Sequence, residues 1–385
     1  MKESKFLPPH IRFDRYELAG SFGDIGTSFP LLTGMILACG LDVTSSLVMF
    51  GAMQILTGLI YGIPMPVQPL KAMAVIMITQ KLGGNILYGG GLAVGVIMLF
   101  LSVTGLIDGA AKIVPKAVIR GIQLGLGIQL SLLALKDYVP AEGGLGYILA
   151  LASFILAVFL LGNKKYPPAL LIIFLGVVYA LIFKINLAQL TGGFGFNLPK
   201  MHTPAWNDIV TGLVVLALPQ IPLSIGNSIL ATRQTARDLF PEKSLSVRKI
   251  SLTYALINIV KPFFSGIPVC HGSGGMMGHY TFGARTGGAV IICGSLYLVL
   301  GLFCSPGFGQ FIQLFPKPVL GVILLFEGLN LMRLMQDMQG SRTDLAIAFL
   351  VGVIAAGLPF GYIVALLAGV ILGYLSNKKI IKAFN

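Results

Sequence analysis

Two stretches of this chain carry residues suited to holding an anion inside an otherwise apolar sequence. The first is Gly62-Ile63-Pro64-Met65-Pro66-Val67-Gln68-Pro69-Leu70-Lys71, and the second, 204 residues on, is Gly266-Ile267-Pro268-Val269-Cys270-His271-Gly272-Ser273-Gly274-Gly275. Prolines at 64, 66 and 69 cannot all sit in a regular helix, and each bars the residue before it from the α region. The spacing predicts an extended piece from Pro64 to Gln68 and then a helix starting at Pro69, where proline is favoured. The free N–H groups of that helix would be those of Leu70, Lys71 and Ala72. In the second stretch Pro268 forces extension, while Gly272, Gly274 and Gly275 permit close backbone approach. Ser273 is placed to cap a helix over Gly274–Phe282. A helix that begins inside a membrane presents unpaired N–H donors and about half a positive charge. Two such ends facing one another suit a small anion; the alternative for the glycines is close packing between spans. Lys71 opposes the dipole of its own helix, so it serves an anion, reaches water or pairs with an acid.

Polar groups elsewhere in apolar segments are few, which gives each one weight. Gly23, Asp24 and Thr27 lie in Phe22-Gly23-Asp24-Ile25-Gly26-Thr27, and Gln220 lies in Leu218-Pro219-Gln220-Ile221-Pro222. Thr27 and Gln220 can donate to an oxyanion. Asp24 cannot while ionised, so carrying a proton or orienting Lys71 is its expected role. Glu327 is a second proton-carrier candidate, with a structural partner as the other reading. His271 precedes the second helix, where ligand contact, pH sensing and simple hydrogen bonding are all open. His10 and His202 fall in polar segments and are expected to be solvated, and Arg285 is expected to be a gate or topology charge. No zinc-protease, paired-cysteine, nucleophilic-serine or Walker-type pattern is present, so an enzyme or an ATP-driven pump is disfavoured, and no metal or cofactor is expected.

These residues need an apolar framework to position them, and the composition supplies it. Of 385 residues 56% are hydrophobic and 11% charged, far from the usage of a soluble domain. Apolar runs such as Ile86 to Ile107, Leu145 to Leu161, Ala169 to Phe183, Ile209 to Leu230 and Gly288 to Phe303 are of membrane-crossing length. About 14 such segments fit an all-α integral membrane fold. The formal net charge of +13 is scattered between spans rather than clustered with aromatics, which argues against nucleic acid. With 14 crossings and a cytoplasmic N-terminus, the inside receives most basic residues, among them Lys2, Lys5, Arg12, Lys112, Lys116, Lys164, Arg233, Arg248 and Lys378. The outside receives Lys81, Lys136, Lys184, Lys200 and Lys317, in line with the positive-inside bias. Both termini are then cytoplasmic, in a plasma or inner membrane.

A second echo, Pro115-Lys116-Ala117-Val118 and Pro316-Lys317-Pro318-Val319, joins the first in dividing the chain into halves. Seven spans per half require the second half to be inverted, and Lys116 inside against Lys317 outside agrees. The expected organisation is a cytoplasmic segment 1–16, a first inverted repeat 17–189, a polar connection 190–207, a second repeat 208–377 and a cytoplasmic tail 378–385. Cys39, Cys270, Cys293 and Cys304 lack metal-type spacing and are expected to act as small apolar residues. The polar start followed by a full span does not read as a cleaved signal.

Phe22–Thr27, Gly62–Lys71, and Pro268–Gly275 followed by Tyr280-Thr281-Phe282-Gly283-Ala284-Arg285 resemble the signature stretches of molybdate transporters in the sulfate permease superfamily. The resemblance implies a 7+7 inverted-repeat fold of 14 spans, with two broken half-helices and separate core and gate domains as in sulfate and uracil permeases. It implies a secondary transporter of a tetrahedral oxyanion, molybdate first, with a sulfate or tungstate permease or an anion channel of the same fold as alternatives. It also carries Gly23, Asp24, Thr27, Gln68, Lys71, Gln220, His271, Ser273 and Gly274 over as site candidates, which Leu70 and Gly275 join from the backbone reading of the two broken stretches. Nucleobase permeases of this fold hold the base with acidic residues where this chain has Gln220 and His271–Gly275, so a nucleobase is disfavoured. The chain ends at Asn385 with no room for the regulatory STAS domain typical of sulfate permeases, as in the molybdate branch. Expected partners are the oxyanion and the lipid bilayer, and a homodimer is common in the superfamily.

Overall fold

In a computed structural model the structure describes residues 11–107, 109, 113–160, 168–184, 194–243 and 245–377. His10, Lys2, Lys5, Lys112, Lys164 and the tail 378–385 lie outside the described residues. The chain is almost wholly helical, because a helix satisfies its own backbone polar groups where no water can. In order the helices are α1 (Arg15–Ser21), α2 (Ile25–Cys39), α3 (Val43–Tyr61), α4 (Lys71–Gln80), α5 (Gly84–Thr104), α6 (Lys116–Leu133), α7 (Gly143–Phe159) and α8 (Pro168–Phe183). There follow α9 (Trp206–Leu239), α10 (Val247–Val260), α11 (Ser273–Thr281), α12 (Gly288–Phe303), α13 (Ser305–Leu314), α14 (Lys317–Arg333), α15 (Arg342–Gly357) and α16 (Gly361–Asn377). Among the described residues five helical runs are long and apolar enough to cross a membrane, or seven if the bent pairs α1/α2 (42°) and α12/α13 (100°) each count as one span. Large apolar side chains such as Phe100, Phe159, Phe183 and Leu367 point outward, while Glu17, Gln54, Gln123 and Asn258 are buried. That inside-out distribution is the one a lipid solvent selects.

The two interrupted stretches meet. Each forms a two-residue strand, β1 (Gln68–Pro69) and β2 (Val269–Cys270), paired antiparallel with Gln68 opposite Cys270 and Pro69 opposite Val269. Gln68 and Cys270 each stand three residues before a half-helix, so the pairing has a local two-fold axis through them, and α4 and α11 leave the ladder in opposite directions. Two buried side chains complete the extended backbone. Gln54 on α3 accepts from the Val67 N–H and donates to the Val67 carbonyl, both at 3.1 Å. Asn258 on α10 does the same for Val269, at 2.8 and 2.7 Å. The repeated Gly-Ile-Pro is not conformationally identical: Gly62 ends α3 in the left-handed region at φ 64°, whereas in the second copy Ser265 takes that role at φ 53°.

The helix starts differ from the sequence expectation. The first half-helix begins at Lys71 rather than Pro69, because the Leu70 N–H is already bonded to the Pro268 carbonyl at 3.2 Å. The second begins at Ser273, with Gly272 as the residue before it, so Ser273 is inside the first turn and is not the cap.

Around this centre the helices pack in two groups. In one, α3 lies along α12, α5 along α9 and α10, and α2 against α4; in the other, α6 packs on α14 and α15, and α15 on α16. The pair α6/α14 is antiparallel, since Lys116 at the start of α6 bonds Asp337 beyond the end of α14 at 3.0 Å, and the Lys317 N–H at the start of α14 bonds Glu142 at 3.2 Å. Lys116 and Lys317 therefore lie at opposite ends. Their helices touch at Gly127 and Gly328, where a Cβ on either would stand within 3 Å of the other's carbonyl oxygen. The chain reverses at Gly143 (φ 61°, ψ −144°), so that Gly146 meets Pro318 and Phe154 meets Phe326 as α7 runs parallel to α14. His202 is not simply solvated: its ring lies 4.8 Å from that of Tyr88.

If the two amide clamps hold the ladder, Gln54→Leu or Asn258→Leu strands a buried N–H and a buried carbonyl. Each substitution is expected to cost on the order of 2 kcal/mol or more, read as a lower melting temperature of the detergent-purified protein. An unchanged melting temperature in both would show that the ladder does not need them.

Candidate functional site

The sequence candidates converge on one cavity beside the ladder. Thr27 of α2, Gln68 of β1, Lys71 of α4, Gln220 of α9, and His271, Ser273 and Gly274 at the start of α11 all line it. Its volume is about 80 Å³, against roughly 10–15 Å³ for one water on the same measure. A cluster of four oxygens about a central atom is within that scale.

Three candidates have other duties. Gly23 packs its backbone against Gly278, the Leu70 N–H is bonded to Pro268, and Gly275 lets the backbone pass Asp24, where a Cβ would sit 2.8 Å from the Asp24 Oδ1. Asp24 accepts hydrogen bonds from Ser28 Oγ and Gln68 Nε2, so it orients Gln68 rather than Lys71. Gln68 Oε1 occupies the place a Gly272 side chain would need, which explains the glycine there. His271 is tied up on both ring nitrogens: Nδ1 faces the Pro66 carbonyl at 3.3 Å and Nε2 faces Thr253 Oγ1 at 3.1 Å. A carbonyl needs a donor, so Nδ1 carries the proton and His271 bridges the two broken segments. Arg285 lies over the Tyr280 ring at 3.6 Å and donates to the Tyr280 and Ala284 carbonyls.

Gln220 differs most from expectation. Its Oε1 accepts from the Ala72 and Met73 N–H groups at 2.9 and 3.3 Å, and its Nε2 donates to Ser224 Oγ at 3.0 Å. It caps α4 rather than offering a donor. Wide π turns at Leu213–Ala217 and Ser224–Ala231 flank Pro219 and Pro222, so α9 is deformed where Gln220 reaches across. The two half-helices are consequently unequal. The start of α4 is capped by an amide, whereas among the described residues no side chain is seen to bond the first-turn N–H groups of α11, which have no partner inside the helix.

Lys71 pairs with an acid after all. Its Nζ lies 2.7 Å from Glu327 Oε1 on α14, with the carboxylate side chain only 5% exposed and the lysine 27%. This ion pair links the two packing groups. Lys71 faces the first cavity, and Glu327 lines a second of about 240 Å³ with Asn330; Thr27 borders both.

Several contributors escaped the sequence reading. Gln123 of α6 and Asn227 and Ser228 of α9 line the first cavity. Polarity within an apolar helix is their only local signal. Gln54 and Asn258 were findable, since they stand 204 residues apart, the same interval as the repeated Gly-Ile-Pro. Glu17, fully buried, accepts from the N–H groups of Arg285, Thr286 and Ala289 and so caps α12.

Removing Lys71 alone leaves a buried carboxylate without its cation, a loss of about 3–5 kcal/mol for a fully buried pair and less here because Lys71 is partly exposed. Lys71→Met is expected to lower the melting temperature more than Glu327→Gln, and Lys71→Met/Glu327→Leu to recover part of the loss. A double variant no more stable than Lys71→Met would refute a direct pair.

Comparison with known proteins agrees with the sequence resemblance. A family model described as "Molybdate transporter of MFS superfamily" matches residues 16–130 and 212–331. The chain is 32% identical to Molybdate transporter 1 of Arabidopsis thaliana over 368 residues, covering 84% of this chain and 80% of that protein. It is also 32% identical to Molybdate transporter 2 of the same plant, covering 85% and 80%. Among solved structures, the transmembrane domain of the cyanobacterial bicarbonate transporter BicA superposes with a TM-score of 0.67 at 18% identity, covering 94% of this chain and 98% of that one. The fold is therefore that of a transporter's membrane domain, and the chain is an integral, multi-pass membrane protein.

Proposed function

This chain belongs to the molybdate transporter family, and we propose that it is a secondary active transporter that takes up molybdate through the cavity between Lys71 and the start of α11. The observation that carries the proposal is the convergence of an ammonium and an uncapped helix N-terminus on one small space. Both favour negative charge, and the N–H groups of Ser273 and Gly274 with the hydroxyls of Ser273 and Thr27 are donors for oxyanion oxygens. Family membership directs the choice of anion to molybdate.

The same geometry supports coupling to protons. A dianion about 5 Å from the Glu327 carboxylate would be repelled by about 7 kcal/mol at an effective dielectric constant near 20. A proton on Glu327 removes that repulsion and frees Lys71 for the substrate. Release of the pair also loosens the one ion pair seen between α4 and α14, so substrate and proton together would permit the two helix groups to move. Asp24, buried behind Gln68, is the second acid near the site. The proposal carries with it the arrangement of 14 crossings in inverted repeats 17–189 and 208–377, joined by the connection 190–207. It likewise carries cytoplasmic termini and a plasma or inner membrane location.

Titration calorimetry of the purified protein is expected to show molybdate binding that tungstate or sulfate displaces and uracil does not; uracil binding without oxyanion competition would overturn the reading. In proteoliposomes an inward proton gradient is expected to drive molybdate above equilibrium, whereas flux that only equilibrates would mean a channel. Glu327→Gln is expected to keep binding and lose the response to the gradient. Proton-driven accumulation that persists in both Glu327→Gln and Asp24→Asn would remove the coupling assignment.

A further inference from the structure

One residue of the cavity wall carries a buried donor that has no acceptor. Gln123 of α6 is fully buried and lines the cavity, and its Nε2 has no hydrogen-bond partner. Its Oε1 does have one: Arg120 Nη1, one turn earlier on α6, donates to it at 2.8 Å. Arg120 is fixed in turn by Asp337, which accepts from its Nε at 3.0 Å and its Nη2 at 2.6 Å and also pairs with Lys116 at 3.0 Å. An amide can ordinarily be turned end for end. Here it cannot, because turning it would bring the NH₂ group against a guanidinium, donor against donor. The chain Asp337–Arg120–Gln123 thus commits the oxygen to the arginine and leaves the NH₂ group of a cavity-lining residue as a buried donor without a partner.

A buried amide donor left unmade is costly. The arrangement becomes favourable when an acceptor enters the cavity, and an oxyanion oxygen is an acceptor and nothing else. We propose that Gln123 is a substrate ligand, donating from Nε2 to an oxygen of the bound oxyanion, and that Arg120 is the residue that positions it. The proposal rests on the anion-site reading above and extends it across the cavity. Lys71, Ser273 and Gly274 belong to the elements that spring from the ladder, whereas Gln123 belongs to the group built on α6 and α14. A substrate held by both sides would tie its own occupancy to the approach of the two helix groups.

The test compares wild type, Gln123→Leu, Gln123→Glu, Arg120→Met and the double variant Gln123→Leu/Arg120→Met, each purified whole. Molybdate affinity is measured by calorimetry and stability by melting without substrate. Loss of one hydrogen bond to a charged group is expected to weaken molybdate binding roughly tenfold in Gln123→Leu. Gln123→Glu keeps an acceptor for Arg120 but sets a carboxylate towards a dianion, and is expected to weaken binding further. Arg120→Met is expected to show a smaller loss of affinity that vanishes on top of Gln123→Leu, as a positioning role requires. The melting temperature of Gln123→Leu without substrate is expected to be unchanged or higher, since an unsatisfied group has been removed. Wild-type affinity in both Gln123 variants would overturn the proposal, as would a lowered melting temperature with affinity intact. If wild type itself binds no oxyanion, the anion-site reading fails first and this inference goes with it. Wild-type binding with insensitive Gln123 variants sinks this inference alone.

Discussion

Everything near the cavity depends on one constraint: extended backbone inside a lipid-facing protein must find partners for its N–H and carbonyl groups. The chain interrupts two helices and satisfies the exposed backbone by laying the two interruptions side by side as β1 and β2. Two residues of ladder are not enough by themselves. Gln54 satisfies Val67 just before β1 and Asn258 satisfies Val269 on the open side of β2, and the His271 ring spans from one segment to the Pro66 carbonyl of the other. Breaking the helices here shapes the cavity, because it places two helix N-termini where whole helices would show only side chains.

The two ends are then used differently. Gln220 reaches from the deformed middle of α9 and satisfies the first turn of α4. Among the described residues no side chain is seen to bond the corresponding turn of α11, and its glycines make room for Gln68 and Asp24 to lie against it. Charge follows the same division. Lys71 stands on the capped helix, where the dipole alone disfavours it, and is held there by Glu327 from the opposite helix group. On the proposed reading, an anion that takes up Lys71 has to rearrange an existing ion pair, which would join recognition to movement.

The opposing wall is equally ordered. The helices α6 and α14 run antiparallel, meet at Gly127 and Gly328, and bring Gln123, Leu331 and Glu327 up to the cavities. The network from Lys116 through Asp337 and Arg120 to Gln123 runs from exposed to fully buried, so a surface charge cluster orients an interior amide.

Much of this was legible in the sequence. Prolines and glycines in apolar runs are read locally, since proline geometry and missing donors do not wait for tertiary contacts; Pro66, Pro69 and Pro268 all fall inside the breaks, and Pro69 marks the start of α4 to within two residues. The repeated Gly-Ile-Pro located both halves of the site, and the scarcity of polar residues in apolar spans pointed to Thr27, Lys71, Gln220 and Glu327. What the sequence could not decide was which donors stay free. That Gln220 caps α4, that Lys71 takes Glu327 from a helix 256 residues away, and that Leu70 is spent on Pro268 are pairings between distant segments. Residue type fixes what a group can donate or accept. Only the packed chain fixes which partner stands within 3 Å, and a donor's role follows from that partner.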